Sequence, residues 1–499
     1  MRNSRKDLMA SINHVFVLML ENRSFDHLFG LSGLTGTDAR TGTHTAVEGL
    51  TGDESNTFQG RVYPVQRGAD WAMPVDPGHE FPNVLDQLCG PGIPYLAPYP
   101  AINRSGFVDS YNQSGGGAQP GEVMKCFDTQ RQLPVLFALA QEYAICDHWF
   151  SSMPGPTWPN RMFVHAASSG GLDHSPSTSD ILLWETLDGF SFSKGTIFAS
   201  LKARGIPYHL YSGDEFPMVA ALKGIELADV HRIDDLVADL GAKRPFPYDY
   251  VFIEPSYNVL QDYRNSTSMH PLADIRDGEN LVKKIYEALR ASDAWSSSLF
   301  IITWDEHGGF FDHVSPPPAT PPGDTSPGSK YNQYHFTFAQ YGVRVPALVV
   351  SPFIPKGTID HRVYDHSSVL TTLGAIFGTN SLTTRDARAS SLLPLLSLGA
   401  PRSTDQEARK VLPAVVPTPA LAVAVPQPNA VVAADVAIAR ETDSVNDAAL
   451  PAILHSAMRQ DILMSPGRKN EIIAQVARLD TRADARAYLA DVQKKLRAR

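Results

Sequence analysis

The most informative residues are four oxygen-bearing side chains that follow two similar apolar runs. Residues 15–22 read VFVLMLEN and residues 299–306 read LFIITWDE, and both runs have the β-branched and aromatic composition of buried strands. Side chains that follow such strands in an open parallel sheet meet beyond its carboxyl edge. Three carboxylates placed there would repel one another unless a cation lay between them. The sequence therefore predicts one divalent metal ion, bound by Glu21, Asn22, Asp305 and Glu306.

Oxygen ligands of this kind suit Ca, Mg, Mn, or a hard Fe or Zn site. The pattern does not choose among these metals.

A second candidate is the turn SMPGPTWPNR, residues 152–161, which follows one predicted strand and precedes a predicted helix. Thr157 lies between two prolines of this turn, and its hydroxyl would sit at a helix N-terminus, where backbone N–H groups favour an anion. Thr157 is therefore a candidate nucleophile, provided that a metal or a base lowers its pKa; a plain helix N-cap is the alternative. Asn160 and Arg161 would orient or neutralise a phosphoryl oxygen, or else serve the turn and an ion pair.

Three of the 16 histidines lie in segments that favour a chemical role. His79 lies in DPGHEF, His209 in the strand-like PYHLYS, and His270 in MHP, just before an acidic loop. A single histidine is more often a hydrogen-bonded structural residue than a catalyst. These three are candidates for acid–base work because imidazole changes charge near neutral pH.

These residues need a scaffold of alternating strands and helices. DYVFIEP (249–255) and RVPALVVSPFI (344–354) read as further buried strands, whereas residues 278–292 and 364–378 read as helices. The alternation predicts an α/β fold with a largely parallel central sheet covered by helices on both faces. Residues 31–125 lack long periodic stretches, and we expect an ordered rim over a pocket there.

Composition divides the chain into three units. We predict a catalytic domain over 1–405, an Ala/Val/Pro-rich linker over 406–443 and a helical segment over 444–499. The last helix has an apolar stripe that includes Tyr488 and Leu489. It is expected to pack on the domain, with a membrane-surface or partner helix as the alternative.

Charge and cysteine content exclude several classes of protein. The net charge of −10 and the pI near 5.9 argue against nucleic acid as a partner. The three cysteines form no metal-binding or disulfide pattern, and buried thiols are expected.

No run reaches the length of a membrane helix. The apolar stretch up to Leu20 leads straight into Glu21 and is interpreted as a strand, not a signal peptide, so a cytoplasmic location is the default expectation.

Several blocks, in order along residues 14–375, resemble the bacterial phosphoesterase family of phospholipases C and AcpA-type acid phosphatases, within the alkaline-phosphatase-like superfamily. Relatives in that family are often exported. The matching blocks are HVFVLMLENRSFDHLFG, DPGHEF, SGFVDSY, DHWFSSMPGPTWPNR, HPLADIRDGENLV, WDEHGGFFDHVSPP, GVRVPALVVSPFI and DHSSVL. By this resemblance the metal ligands fall on Glu21, Asn22, Asp305 and Glu306, the nucleophile on Thr157, and the phosphate-contacting histidines on His79, His209 and His270.

The resemblance implies a metal-dependent phosphoesterase that works through a covalent phosphothreonine. Threonine at position 157 resembles the phospholipase-like members, so phospholipase C-type hydrolysis of a phosphodiester is expected, on a phosphate ester or phospholipid and with possible transient contact with a membrane surface. The alternatives are an acid phosphatase with the same site and a non-catalytic binding module. The sequence leaves the oligomeric state open.

Overall fold

The computed structural model of the protein describes residues 12–178, 189–242, 244–259, 263–324, 330–402, 410–417 and 450–498. Its strands are β1 (His14–Leu20), β2 (Thr35–Asp38), β3 (His44–Ala46), β4 (Ser55–Phe58), β5 (Arg61–Pro64), β6 (Gln66–Arg67), β7 (Lys125–Cys126), β8 (Ala144–Cys146), β9 (Tyr208–Ser212), β10 (Val230–Arg232), β11 (Tyr250–Glu254), β12 (Ser298–Trp304), β13 (Ala347–Val350) and β14 (Thr358–Asp360).

The helices are α1 (Phe81–Cys89), α2 (Phe107–Tyr111), α3 (Thr129–Gln132), α4 (Pro134–Glu142), α5 (Thr157–Ala166), α6 (Ile197–Ala203), α7 (Ile233–Gly241), α8 (Ile275–Ala291), α9 (Ser367–Phe377), α10 (Thr384–Arg388), α11 (Leu450–Met464), α12 (Lys469–Val476) and α13 (Arg482–Arg497). Single turns of 3-10 helix lie at Glu122–Met124, Met218–Ala221, Leu227–Asp229, Asp293–Ser297, Leu393–Leu395 and Pro466–Arg468, and π-helical turns at Asp26–Gly30 and Asn112–Gly116.

A ten-stranded sheet runs in the order β10-β9-β11-β1-β12-β13-β8-β14-β2-β3. The five strands from β10 to β12 are parallel to one another, and so are β8, β14 and β2, whereas β13 and β3 run antiparallel to their neighbours. The predicted α/β class with a largely parallel sheet is confirmed.

The two strands at the centre of the sheet are the apolar runs on which the metal prediction rests. Every side chain from Val15 to Leu20 in β1 is buried, and so is every residue of β12. Since successive side chains of a strand point to opposite faces, complete burial means that both faces are covered. The covering helices form two groups, with α8 packed against α4 and α7, and α5 against α6 and α9.

The rim predicted over residues 31–125 contains more regular structure than expected. It carries two strands of the main sheet, a β4–β5 hairpin, β6 paired with β7, and helices α1 and α2. Most of these elements have four or fewer residues, too short for a periodic pattern to appear in the sequence.

The C-terminal helices pack on the α/β body. Leu454, Ala457 and Met458 of α11 are buried, and Arg459 donates hydrogen bonds to the carbonyls of Ala220 and Ile225. No helix among the described residues is long and apolar enough to cross a membrane. Most of the predicted linker lies outside the described residues, and the predicted domain boundaries stay predictions.

Candidate active site

The four predicted metal ligands lie together at the carboxyl edge of the sheet. β1 and β12 pair in parallel with Leu20 opposite Trp304, so the residues that follow them are neighbours. The backbone N–H of Asn22 donates to Oδ1 of Asp305 at 3.0 Å, and its side-chain amide contacts the carboxylate of Glu306. All four side chains are buried. The structure thus assembles the predicted ligand set, which we call the carboxylate cage (Glu21, Asn22, Asp305 and Glu306).

The local backbone explains how the cage forms at the end of a strand. Asn22 has a φ of +58°, a left-handed conformation that asparagine tolerates better than most residues. This conformation turns the chain directly after β1. Gly308 then packs against the carbonyl of Asn22, and its own N–H donates to Oε2 of Glu306 at 2.8 Å.

Charges in the cage are poorly compensated. Burial raises the pKa of Glu21 well above its usual range, and the charge of Asp305 raises it further. Burial also raises the pKa of Asp305 to about 7, although the Arg161 guanidinium lies 3.1 Å from it. Burial opposes ionisation of Glu306 too, but the charge of His79 lowers the pKa of that carboxyl to about 2.

The unpaired oxygen atoms of the cage fit a hard cation. Within the described residues, both carboxylate oxygens of Glu21 and Oδ1 of Asn22 are buried without a hydrogen bond of good geometry, although the Ser268 side chain is near enough to lower the pKa of Glu21 slightly against the effect of burial. A buried acceptor without a donor is costly, and a divalent cation would satisfy such atoms and offset the raised carboxylate pKa values. Asp305 is already engaged by Arg161 and by two backbone N–H groups. Glu21 and Asn22 are therefore the freest of the four ligands.

Thr157 faces this cage from the first residue of α5. Its side chain is buried, and its Oγ1 lies 3.3 Å from Nδ2 of Asn22. The preceding Pro156 has extended backbone, so the helix starts abruptly at the hydroxyl-bearing residue. The hydroxyl thus lies beside the cage and at a helix N-terminus, where an anion is favoured.

Asn160 and Arg161 were predicted to contact substrate, but most of their polar atoms bind the protein. Asn160 accepts from the N–H of Met153 and donates to the carbonyls of Met153, Gly155 and Pro156, so it fixes the turn that carries Thr157. Arg161 pairs with Asp305 and donates through Nη2 to the carbonyls of Met19 and Leu20. The structure corrects the role of Asn160 from substrate binding to positioning. Arg161 keeps only Nη1 unpaired among the described residues.

Two of the three predicted histidines belong to the site. Nδ1 of His79 lies 2.6 Å from Oε1 of Glu306 and 2.8 Å from Nδ2 of Asn22. Burial alone would lower the pKa of His79, but the Glu306 carboxylate holds it well above the ordinary value. His270 is connected to the site through Asp76, whose Oδ2 lies 3.5 Å from its Nε2 and whose charge also raises the pKa of His79.

The third predicted histidine, His209, is separated from the site. It is the second residue of β9, where the register aligns it with Val251 and, one strand further, with Phe16. Phe16 lies five residues before Glu21, which amounts to about 16 Å at about 3.3 Å per residue. His209 instead stacks on Tyr248 with ring centroids 4.3 Å apart. The structure therefore corrects the assignment of His209 to the site.

Some supporting residues were not predicted. Asp76, three residues before His79 in DPGHEF, was missed because an acid in a loop has no periodic signal. His366 contacts the backbone of the cage: its Nε2 lies 2.6 Å from the carbonyl of Asp305, and its Nδ1 accepts from the indole of Trp149.

Comparison with known proteins agrees with this geometry. The model of the Phosphoesterase family matches residues 12–380. The chain belongs to the Phosphoesterase family. Non-specific phospholipase C3 of Arabidopsis thaliana is 34% identical over 79% of this chain and 75% of its own length. Phospholipase C B of Mycobacterium tuberculosis is 26% identical over 79% of both chains. The phosphonate monoester hydrolase of Agrobacterium radiobacter aligns with a TM-score of 0.35 and 11% identity over 79% of this chain and 78% of its own, too weakly to add to the assignment.

Membership of the Phosphoesterase family makes this protein a hydrolase that acts on phosphoric ester bonds. The matched residues 12–380 include every residue of the cage, Thr157, His79 and His270.

Proposed function

We propose that this phosphoesterase is a phospholipase C-type enzyme that cleaves a phosphodiester through a covalent phosphothreonine at Thr157. The observation that carries the proposal is the contact of the Thr157 hydroxyl with Asn22, at the N-terminus of α5 and beside three buried carboxylates. The similarity to proteins named phospholipase C supports the diester over the monoester.

An apolar wall beside the nucleophile supports a lipid substrate. The aromatic cluster consists of buried Phe81, Met153, Phe163, Phe336 and Phe338, with Tyr95, Tyr99 and Tyr334 packed around them. A Cβ added to Gly155, two residues before Thr157, would lie 2.9 Å from Cε of Met153 and 3.9 Å from Cβ of Phe81, so the cluster borders the turn that carries the nucleophile. Apolar side chains so close to the reacting group would accommodate the glycerol and acyl portions of a lipid.

Glu21, Asn22, Asp305 and Glu306 would hold one divalent cation in this proposal. When bound, the cation would lower the pKa of the Thr157 hydroxyl and offset negative charge on the phosphoryl oxygens.

The protein's own groups account for the remaining chemistry. Oγ1 of Thr157 forms a bond to phosphorus while the bond from phosphorus to the leaving alcohol breaks. His79, which contacts the cage, would supply the proton that the alcohol oxygen needs. Asp76 lies 3.5 Å from Nε2 of His270 and its charge also acts on His79, and the N-terminus of α5 would favour the negative phosphoryl oxygens. The phosphothreonine keeps the second ester group of the diester; water then attacks its phosphorus, releases a phosphate monoester and restores the Thr157 hydroxyl.

The test compares Thr157→Ala with Thr157→Ser. We expect the alanine variant to lose at least about a thousandfold in kcat because it has no nucleophile, and the serine variant to keep measurable activity. Acid-quenched wild-type enzyme, analysed by intact mass and peptide mapping, should carry on residue 157 the phosphoryl group with its remaining ester, which is phosphocholine when phosphatidylcholine is the substrate. Near-normal turnover by Thr157→Ala would refute the covalent step.

Substrate class needs its own measurement. Rates on phosphatidylcholine vesicles and on p-nitrophenyl phosphate should be compared across pH, with Thr157→Ala as the blank for both. We expect the diester to have the higher kcat/KM. A clear preference for the monoester would favour the acid-phosphatase alternative with the same site.

A further inference from the structure

A second group of metal-ligating side chains lies at the same edge of the sheet, away from the cage. β8 and β14 are parallel neighbours, and Asp147 and His148 follow the first strand while His361 follows the second. We call these three residues the Asp147 cluster. The Nδ1 atoms of both histidines lie 2.9 Å from a carboxylate oxygen of Asp147. The mechanism proposed above uses none of these residues.

The outer nitrogen of each ring is also held by the protein. Nε2 of His148 lies 3.1 Å from Oε2 of Glu48. Nε2 of His361 lies 3.1 Å from the hydroxyl of Thr45. A ring that places its hydrogen on Nε2, toward these oxygens, turns a lone pair on Nδ1 toward Asp147, as a metal ligand requires.

The two Nδ1 atoms can meet the Asp147 carboxylate in two ways. If they carry hydrogen, they donate directly to the carboxylate oxygens. If the hydrogens are on Nε2, two Nδ1 lone pairs face carboxylate lone pairs, and one divalent cation between them would satisfy all three groups.

The outer contacts are those expected around a metal-bound histidine. Ligating histidines commonly donate their second N–H to a carboxylate or another oxygen, which fixes the ring and its tautomer. Glu48 and Thr45 occupy these positions here. The two rings are nearly perpendicular, with an interplanar angle of 81°, so their lone pairs converge on the carboxylate from different directions.

A neighbouring group of similar residues differs from the Asp147 cluster because an arginine already pairs with its carboxylates. Asp26, Asp312 and His313 also lie close together, but the Arg344 guanidinium already pairs with both carboxylates, at 2.8 Å and 3.1 Å. At Asp147, Arg344 donates to the backbone carbonyl instead, 2.9 Å away. The Asp147 carboxylate is thus fully buried, with two imidazoles and the N–H of Glu48 as its described hydrogen-bond partners.

We propose that Asp147, His148 and His361 bind one divalent transition-metal ion, such as Zn²⁺, that ties the ends of β8 and β14 together. Two imidazoles and a carboxylate favour Zn²⁺, Co²⁺ or Ni²⁺ over Ca²⁺ or Mg²⁺, with water as the fourth ligand. In a tetrahedral zinc site the ligand atoms lie about 3.3–3.4 Å apart, so the groups must separate by about half an ångström. The site differs in chemistry from the all-oxygen cage and does not depend on the proposed function.

The test uses full-length protein, freed of metal with a chelator and titrated with Zn²⁺ or Co²⁺ by calorimetry. We expect the His148→Asn/His361→Asn double variant to lose one equivalent of bound Zn²⁺ relative to wild type. His44→Asn, a change at an exposed histidine on β3, is the matched control and should lose none. Co²⁺ should give the intense visible absorption of a tetrahedral site in wild type and in Glu21→Gln, a cage variant.

If the double variant fails to fold, spectroscopy on wild-type protein still tests whether the two histidines bind Zn²⁺. Zinc-edge X-ray absorption of protein loaded with one equivalent should show two imidazole ligands at about 2.0 Å. Unchanged Zn²⁺ stoichiometry in a folded double variant would overturn the proposal. So would NMR spectra in which both rings stay doubly protonated at neutral pH after Zn²⁺ is added, since two protons would then fill the place of the ion.

Discussion

At the scale of single residues, Gly308 shows how closely the backbone surrounds the cage. It has a φ of +64°, and an added Cβ would overlap the carbonyl of Asn22. We predict that Gly308→Ala displaces Asn22 and lowers kcat by roughly a hundredfold, because small displacements of positioned groups are costly. Gly33→Ala is the control: its φ of +62° carries the same strain of about 1 kcal/mol, but no other heavy atom of the described chain lies within 4 Å of the added Cβ.

Steady-state kinetics and thermal unfolding of both variants test this expectation. If Gly308→Ala and Gly33→Ala lose activity equally, the close contact between Gly308 and Asn22 does not contribute to catalysis.

Residue roles were predictable where they followed from strand ends. Glu21 and Asp305 were placed correctly because each directly follows a strongly apolar run, and parallel strands end at one edge. His209 was misplaced because its strand was predicted without knowing the register, and five residues along a strand separate the two ends of the sheet. Asn160 was misassigned because the same amide can bind a ligand or its own turn, and only the fold decides which.

At the scale of elements, a buried ion-pair network joins the loops at the carboxyl edge. Arg344, just before β13, is completely buried and pairs with Asp26 after β1 and Asp312 after β12. We predict that Arg344→Met lowers the free energy of unfolding by about 3–5 kcal/mol, because it leaves the buried Asp312 without its cation and Asp26 with only His313 as an ion-pair partner. Arg67→Met removes a half-exposed partner of Asp128 and should cost at most about 1 kcal/mol.

Chemical denaturation at neutral pH measures both changes. Equal losses in the two variants would mean that the Arg344 network contributes no more than a surface ion pair.

A carboxyl group between two helices makes stability depend on pH. Glu279 of α8 accepts from the N–H of Leu136 near the start of α4, and burial raises its pKa to about 8. Between the unfolded value near 4.5 and about 8, the folded protein holds a proton that the unfolded chain has released, so stability falls as pH rises. We predict that Glu279→Gln removes this decline, which amounts to at most about 1.4 kcal/mol per pH unit.

The free energies of unfolding of wild type and Glu279→Gln should therefore diverge as the pH rises from 5 to 8. Relative to wild type, Glu279→Gln should be more stable at pH 8 than at pH 5. Glu54→Gln, at a surface loop where backbone N–H groups lower the carboxyl pKa, should not change the slope in this range. Parallel curves for wild type and Glu279→Gln would show that Glu279 ionises normally.

Elements were predictable in proportion to their length. Strands β1 and β12 and helices α8 and α9 appear close to their predicted bounds because each has many periodic positions. Residues 129–142 form two helices instead of one, since Pro134 begins the second helix and lacks the N–H that would continue the first. The short strands of residues 31–125 depend on pairing with distant partners, which local sequence does not reveal.

At the scale of the whole molecule, the C-terminal helices reach the wall of the active site. The ring of His270 stacks on Tyr263 with centroids 3.8 Å apart, and the guanidinium of Arg482 lies 5.8 Å from the centroid of the same tyrosine ring. Arg482 is the first residue of α13. Helix α13, which was expected to pack on the domain through its apolar stripe, therefore also contacts the tyrosine that stacks on His270. No local sequence pattern indicates this connection.

The outer surface of the aromatic cluster leads to the last prediction, which concerns the membrane. Tyr95 packs edge-on against Phe81, with centroids 5.3 Å apart, and the next residue, Leu96, is 70% exposed, with Ile93 nearby at 42%. If this loop meets the lipid surface, Leu96→Glu should lower the rate on phosphatidylcholine vesicles roughly tenfold, because burying a charge in lipid is unfavourable. Its rate on p-nitrophenyl phosphate should not change, since Leu96 lies outside the cage.

Val411→Glu provides the matched control. Val411 is 69% exposed, but it precedes Leu412, which hydrogen-bonds to Glu287 and Lys283 of α8, away from the aromatic cluster. Vesicle flotation and vesicle hydrolysis should fall for Leu96→Glu and stay normal for Val411→Glu. If vesicle binding and hydrolysis fall equally in both variants, general surface charge and not this loop governs lipid contact. The apolar wall beside Thr157 would then contact only substrate that has already entered the site.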